Sequence, residues 1–592
     1  MKNRITLIHR DIFKYPEEDY AFRPSIPYPE YIFPDYLSSR ANEVYDMVRE
    51  GLFRMGLDAV RYGTKNWNPL GVYINHGDTV LLKPNFVMHE NGSGGDMDCL
   101  ITHPSVIAAV LDYVFIALGG TGKVILGDAP IQDCHWDELL SNGGIATMLA
   151  FYKERGLQVE LQDFRNVKRD VKDGVYADQQ QGDSSQHGIL VQMGDRSAFA
   201  ELPEERLRMM RVTNYDPRIM NRHQAPGIHN YNVSEVVLEA DVVISLPEPK
   251  THRFGGITAA LKNMVGINAN KECLPHHTLG SPAEGGDCYQ SSSNTMMEAA
   301  RHLDARNMLT SEGNMKEAAS EWQAHRQSLQ KGQLEEGEKY WNGSWYGNDT
   351  IWRTIADLNH ILYYADKEGK LQEKMQRKVL IVADMIQGGQ RSGPLAPTPA
   401  PAGVIAVAEH PLLLDKVLAS VMGFDYRHIP QLAHDEIFAD RALVCETAMP
   451  QVVSNDAFWQ GADYDCLLKH SLHFQPCYGW EPVLGYGDFN ELRRWLTEKG
   501  GHCQLMGFGL IGKAQVLTLR RWGIVVDCFL DNKADNMGKS FQGIPCCKPE
   551  EADKTVPCLI AVRGYKPVSS LRRQAENLGI EHVRVFNDQT EA

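Results

Sequence analysis

The residues with the clearest chemical potential lie close together: Lys250, Thr251 and His252, then Lys262 and Asn263, then His276 and His277. Lysines hold anions, a histidine exchanges protons near neutrality, and an asparagine orients a polar group, so the set suits a negatively charged small molecule. Comparable groups recur elsewhere. Lys83 and Asn85 follow one apolar run, Asp128 a second and Asp384 a third. Lys250, His252, Lys262, Asp128 and Asp384 are therefore the candidate catalytic residues. Lys83, Asn85, Asn263, His276, His277 and Arg353 are the candidate substrate-binding residues, Arg353 for the two-pronged grip of a guanidinium on carboxylate or phosphate. Two roles stay open for Asp128: a metal ligand or general base, or a turn or N-cap aspartate.

These side chains act together only if the backbone presents them on one edge. Val242–Leu246 has the length and β-branched content of a buried strand, ended by Pro247 and Pro249. Lys250 to His252 would then follow the carboxyl end of a strand, where open α/β sheets bind ligands. Gly255 and Gly256 lead into residues 257–266, expected as a short helix stopped by glycine. Residues 79–82, 124–126 and 379–383 are further expected strands, the last followed by Asp384 and a glycine loop. Thr102 is the expected N-cap of a helix over 103–118, completing a right-handed parallel unit. Residues 163–202 read as a surface hairpin and 294–338 as a helical cover. Trp341, Trp345, Tyr346 and Trp352 read as core.

A second pattern lies near the C-terminus. Gly507, Gly509 and Gly512 form G-x-G-x-x-G after a short apolar run, and Asp531 ends the next apolar run about twenty residues on. This spacing predicts a Rossmann-like module with those four residues as candidate contacts for a nucleotide or dinucleotide cofactor. Only about four strands fit there, fewer than the complete dinucleotide fold uses.

KTH followed by T-x-x-LKN-x-x-G resembles the signature of the domain of unknown function 362 family. LLKPN at 81–85, THPSVI at 102–107, GDAP at 127–130, LPHHTLGSPAEGGD at 274–287 and GSWYGNDTIWRTIADLN at 343–359 match the same family, over roughly residues 76–430. The resemblance implies kinship with a family of no settled activity. Some relatives carry ferredoxin-type cluster motifs, but this chain has no C-x₂-C-x₂-C run. The segment DNKADNMGKSFQGIPCCKPEE resembles small nucleotide-binding modules found beside sugar-modifying enzymes.

The composition narrows the class further. With 43% hydrophobic and 23% charged residues the chain reads as globular, and its net charge of −16, with no basic block, disfavours nucleic-acid binding. No apolar stretch approaches a membrane span or a signal peptide, so a cytoplasmic protein is expected. Twelve cysteines without C-x₂-C pairing suit reduced thiols.

The expected fold class is α/β: a large, mainly parallel-sheet domain with helical and loop insertions, plus a small Rossmann-like domain. The expected divisions are a wrapping segment with a helix over 1–75, the α/β domain over 76–430 with a helical insertion at about 290–340, linker and helices over 431–499, and the Rossmann-like domain over 500–592. The leading functional reading is an enzyme acting on an anionic small molecule such as a phosphorylated or nucleotide-linked sugar, with a divalent cation near Asp128 or Asp384. Its alternatives are a nucleotide-dependent oxidoreductase and a non-enzymatic nucleotide sensor or assembly protein.

Overall fold

The computed structural model describes residues 3–172, 175–181, 188–434, 449–485, 488–562 and 565–586. Among the described residues ten strands form the main sheet: β1 (Arg4–His9), β2 (Thr79–Pro84), β3 (Lys123–Asp128), β4 (Glu160–Asp163), β5 (Val242–Leu246), β6 (Lys250–His252), β7 (Gly256–Thr258), β8 (Lys378–Ser392), β9 (Ala396–Ala408) and β10 (Gln451–Ser454). The order is β10-β1-β9-β8-β5-β2-β3-β4, and β6 pairs with β7 and β8. The run from β8 to β4 is parallel throughout. Every residue of β5 is buried, as expected of a strand covered on both faces.

Two apolar layers follow from the two-residue period of the strands. Leu81, Val243 and Ile381 point into a core with helices Ile351–Tyr364 and Pro411–Met422. Val80, Leu82, Val242, Ile244, Leu380 and Val382 point the other way, into a core with helices Glu43–Arg54 and Pro104–Leu118. Register then aligns the strand tips. Leu246 stands opposite Pro84 and Leu82 opposite Leu126, so the residues after β2, β3 and β5 leave the sheet at one edge.

Several elements differ from the expectation. The N-terminal RITLIH segment is a strand inside the sheet, antiparallel to β9 and parallel to β10. Its apolar run is short and the proline-rich stretch behind it dominates the local pattern. β8 does not stop at Ala383 but continues through Asp384 and the glycines to Ser392. Its partner β9 contains Pro397, Pro399 and Pro401, a composition that argues against a strand. The ladder tolerates them because Arg391 and Gly389, opposite Pro397 and Pro399, send their N–H groups away from β9, to Gln475 O and Pro249 O. These are non-hydrogen-bonded pairs, where no N–H is required.

Residues 256–258 are likewise strand rather than helix, and they fold back on Lys250–His252 as a hairpin. The helix is shortened to Ala260–Asn263. His103, not Thr102, caps Pro104–Leu118, its Nδ1 accepting from Ser105 N. Thr102 instead joins two strand tips, accepting from Asn85 N at 2.8 Å and donating to Leu246 O at 2.6 Å.

The expected hairpin is present, Val167–Lys172 pairing antiparallel with Val175–Gln181. Helices Asn294–Ser311 and Met315–Glu335 form the helical cover. Trp345 and Trp352 are buried. A second sheet near the C-terminus holds β11 (His502–Met506), β12 (Val525–Leu530), β13 (Ser540–Phe541), β14 (Ile544–Cys547), β15 (Cys558–Ile560) and β16 (Val583–Val585). Its order is β13-β14-β12-β11-β15-β16, parallel except for β13 with β14. Among the described residues no helix is long and apolar enough to cross a membrane.

Candidate functional site

A cleft of about 450 Å³ opens where the tips of β2, β3 and β5 meet. Its rear wall is an ion pair. Lys83, wholly buried, places Nζ 2.7 Å from Asp128 Oδ1 and donates to Pro84 O and Asn263 Oδ1. Asp128 accepts two further bonds, from Phe86 N at 2.6 Å and Ala129 N at 2.8 Å. Burial lowers the Lys83 pKa and raises that of Asp128 in spite of their mutual attraction. Desolvation therefore outweighs the Coulomb gain, as is common for buried pairs. Asp128 lines the cleft, but both its oxygens are engaged. Gly266 closes over the pair: a Cβ there would stand 2.0 Å from Asp128 Oδ1.

Lys250 stands one layer behind the surface of the cleft. It donates to Asn85 Oδ1 at 2.7 Å and Glu248 O at 2.8 Å, and burial lowers its pKa to about 8. Asn85 itself lines the cleft, so Lys250 orients it. Asp384 accepts from Tyr15 Oη and His103 N and is not among the lining residues. Burial pushes its carboxyl up to about 6.

The remaining polar surface is mixed, with His252, Arg253, Lys262, Lys271 and His276 sharing the lining with Glu90 and Asp133. His252 Nδ1 accepts from the backbone amides of Phe254 and Gly255, at 3.1 and 3.2 Å. A neutral ring with Nδ1 as acceptor carries its proton on Nε2, so His252 offers a hydrogen-bond donor. Burial, then Lys262 and Arg253, hold its pKa well below the usual value, and the imidazolium is disfavoured. His276 has the opposite tautomer. Its Nδ1 donates to Leu274 O, leaving Nε2 as an acceptor, and burial lowers its pKa to about 3.

Lys262 is 9% exposed and lines the cleft with Arg253 and Lys271. Burial, followed by Lys271, Lys250 and Arg253, lowers its pKa to about 7. Lys271 donates to Ala129 O and Val265 O, and burial lowers its pKa also to about 7. None of the three forms an ion pair among the described residues.

The fold thus gathers Asn85, Asp128, His252, Lys262, Asn263 and His276 at the cleft, with Lys83 and Lys250 behind them. Arg353 lies elsewhere, held by Asp349 and Ala198 O, so its guanidinium anchors a helix start rather than gripping a ligand. His277 turns towards a separate small cavity beside Arg211 and Trp341. Arg253 and Lys271 were not among the expected site residues. Arg253 directly follows KTH, a signal available in the sequence; Lys271 has none beyond lying in the same stretch.

One group of possible metal ligands stands close enough together among the described residues: His89, His135 and Glu138. His89 Nδ1 accepts from His135 N, which leaves its proton on the Nε2 that faces Glu138, and coordination there would require breaking that bond. Asp128 and Asp384, the expected cation ligands, belong to no such group.

In the C-terminal sheet Gly507 has φ 124°, and a Cβ on Gly512 would stand 2.0 Å from Gly507 O. Both glycines are required by the turn itself. A Cβ on Gly509 would meet open space. Asp531 accepts from Phe508 N at 2.8 Å through Oδ2, and from Lys533 N and Asn536 Nδ2 through Oδ1.

Comparison with known proteins adds a family match. The family model described as Domain of unknown function (DUF362) matches residues 178–420, which contain Lys250, His252, Lys262 and His276 but not Lys83 or Asp128. Among solved structures, the chain is similar to a Thermotoga maritima protein determined by the Northeast Structural Genomics Consortium, at 11% identity and a TM-score of 0.25. That likeness covers 60% of this chain and 54% of the other, about half the length of the solved protein. No curated protein matches. Over residues 178–420 the match supports the family resemblance carried by KTH and T-x-x-LKN-x-x-G.

Proposed function

We propose that the cleft binds an anionic small molecule, of the class of phosphorylated or nucleotide-linked sugars, and that the protein is an enzyme acting on it. The observation that carries this reading is the set Lys262, Lys271 and Arg253, which face one cleft with no carboxylate in ion-pair contact among the described residues. Burying like charges together is costly, and Glu90, Asp128 and Asp133, which also line the cleft, make no ion pair with these three among the described residues, so an anionic ligand would supply a direct counter-charge. His252 Nε2–H would add a hydrogen bond, while Phe254, Val265 and Leu395 offer apolar contact to the rest of the molecule.

Within this reading Asp128 supports Lys83 instead of acting as a free base, and Lys250 fixes Asn85. The test is native mass spectrometry of freshly purified protein, followed by calorimetric titration with inorganic phosphate and with a sugar phosphate. Lys262→Ala and His252→Ala are each expected to weaken binding by roughly tenfold or more, the loss of one charge-assisted contact. Binding indifferent to both substitutions would remove the reading.

For the C-terminal sheet we propose a Rossmann-like nucleotide module, supported by the parallel order of β14-β12-β11-β15-β16 and the open space at Gly509. Asp531 is bonded to the glycine turn through Phe508 N at Oδ2, and with that single donor Oδ2 would keep capacity to accept from a ribose hydroxyl. Titration with NAD and with a nucleoside diphosphate separates the cofactor, sensor and empty-fold alternatives.

A further inference from the structure

Four buried lysines surround the cleft, and their surroundings are unequal. Lys83 contacts three oxygens, while Lys250 and Lys271 each donate to two. Lys262 has no hydrogen-bond or ion-pair partner among the described residues, although it is nine-tenths buried and lines the cleft. Its backbone is held on both sides. Asp415 accepts from Ala260 N and Leu261 N at 2.8 and 2.9 Å, and Asn263 Nδ2 donates to Lys83 O and Ser245 Oγ. A fixed backbone beneath an unengaged amine is the arrangement a nucleophile needs.

We propose that Lys262 forms an imine with the carbonyl group of a small molecule whose carboxylate or phosphate is held by Arg253, Lys271 and His252. This rests on the anion reading above and names the substrate class. The Nζ lone pair attacks the carbonyl carbon, and the C=O π pair moves to oxygen, which takes up a proton. The carbinolamine then loses that oxygen as water as the C=N bond forms. The net change is one carbonyl and one amine to one imine and one water, with no redox partner. Burial, and after it the neighbouring Lys271, Lys250 and Arg253, oppose the ammonium form and bring Lys262 to about 7. A large share of the amine is then unprotonated at neutral pH, where a solvated lysine is almost wholly ammonium.

The test uses the full chain at pH 7 with glyoxylate as the carboxylate probe, glycolaldehyde phosphate as the phosphate probe and propionaldehyde as the uncharged control. Cyanoborohydride reduction and peptide mapping then locate the secondary amine. Lys262 is expected to label on the order of tenfold or more faster than any other lysine with one of the two anionic aldehydes, and to lose that advantage with propionaldehyde. Lys262→Arg should lose the label, with binding of oxalate or inorganic phosphate by the wild-type protein as the control for the anion site. If Lys262→Arg fails to fold, the wild-type rate ranking decides alone. Labelling of Lys262 no faster than surface lysines, in protein that binds oxalate or phosphate, overturns the imine and leaves the anion reading standing. Failure to bind either anion overturns both.

Discussion

The cleft at β2, β3 and β5 and the glycine turn after β11 share a layout, with parallel strand tips, a carboxylate and close-packed glycines, yet they differ in what is left unbonded. In the cleft, Asp128 is held by Lys83 and two amides, but Lys262 is buried without a hydrogen-bond or ion-pair partner among the described residues. In the turn, Asp531 is held by Phe508, Lys533 and Asn536, and Gly507 and Gly512 pack against backbone while Gly509 faces open space. Strand-end position makes a residue available for chemistry. Unspent bonding capacity is what calls for a ligand, and on that measure the cleft makes the stronger demand.

The largest test of this contrast is Lys83→Met. It strands Asp128 in the rear wall and should cost about 3–5 kcal/mol in chemical unfolding, with part recovered in the Lys83→Met/Asp128→Asn double variant. A cost below about 1 kcal/mol would mean that the wall is not an interacting pair.

Next comes the pH dependence of stability. The folded pKa of Lys262, about 7, lies below the ordinary 10.5, so between those values the unfolded chain binds more protons and stability rises with pH. Below pH 7 the penalty of the buried charge is fully present. Lys271 acts in the same direction, so the informative quantity is wild type minus Lys262→Met. That difference should favour wild type increasingly, by on the order of 2–4 kcal/mol, as pH rises from 7 to 10. A flat difference would show that Lys262 is solvated.

The glycine turn supplies the smaller effects. Gly512→Ala forces a Cβ against Gly507 O and should destabilise the C-terminal sheet by about 1–3 kcal/mol, read from protection of its strands in hydrogen exchange. Gly509→Ala should change stability by less than about 0.5 kcal/mol. If the turn holds a phosphate, Gly509→Ala weakens nucleotide binding without that loss of stability, and the distance between the two regions narrows.

Much of the cleft was legible because β5, β2 and β3 are buried on both faces and read as uninterrupted apolar runs. Lys83, Asn85, Asp128 and His252 follow from those runs by position alone. β9 was not legible, because proline argues against a strand unless the partner's hydrogen-bond phase is known. Nor was β1, whose six residues pair with segments hundreds of positions away. Arg353 and His277 carried suitable chemistry, but Arg353 is held to Asp349 at a helix start, and His277, paired with Arg211 in a short two-stranded sheet, lines the small cavity beside Trp341.

The sequence by itself determined that parallel strands end in charged and amide side chains, since apolar runs and proline stops act within a few residues of one another. Only the tertiary structure decided which charges cancel. Whether Asp128 meets Lys83, whether Lys250 is consumed by Asn85, and whether Lys262 is left alone depend on ångström-scale register between strands far apart in the chain. Burial then makes each outcome matter, because a partner gained or lost out of water shifts a side chain between structural support and reactivity.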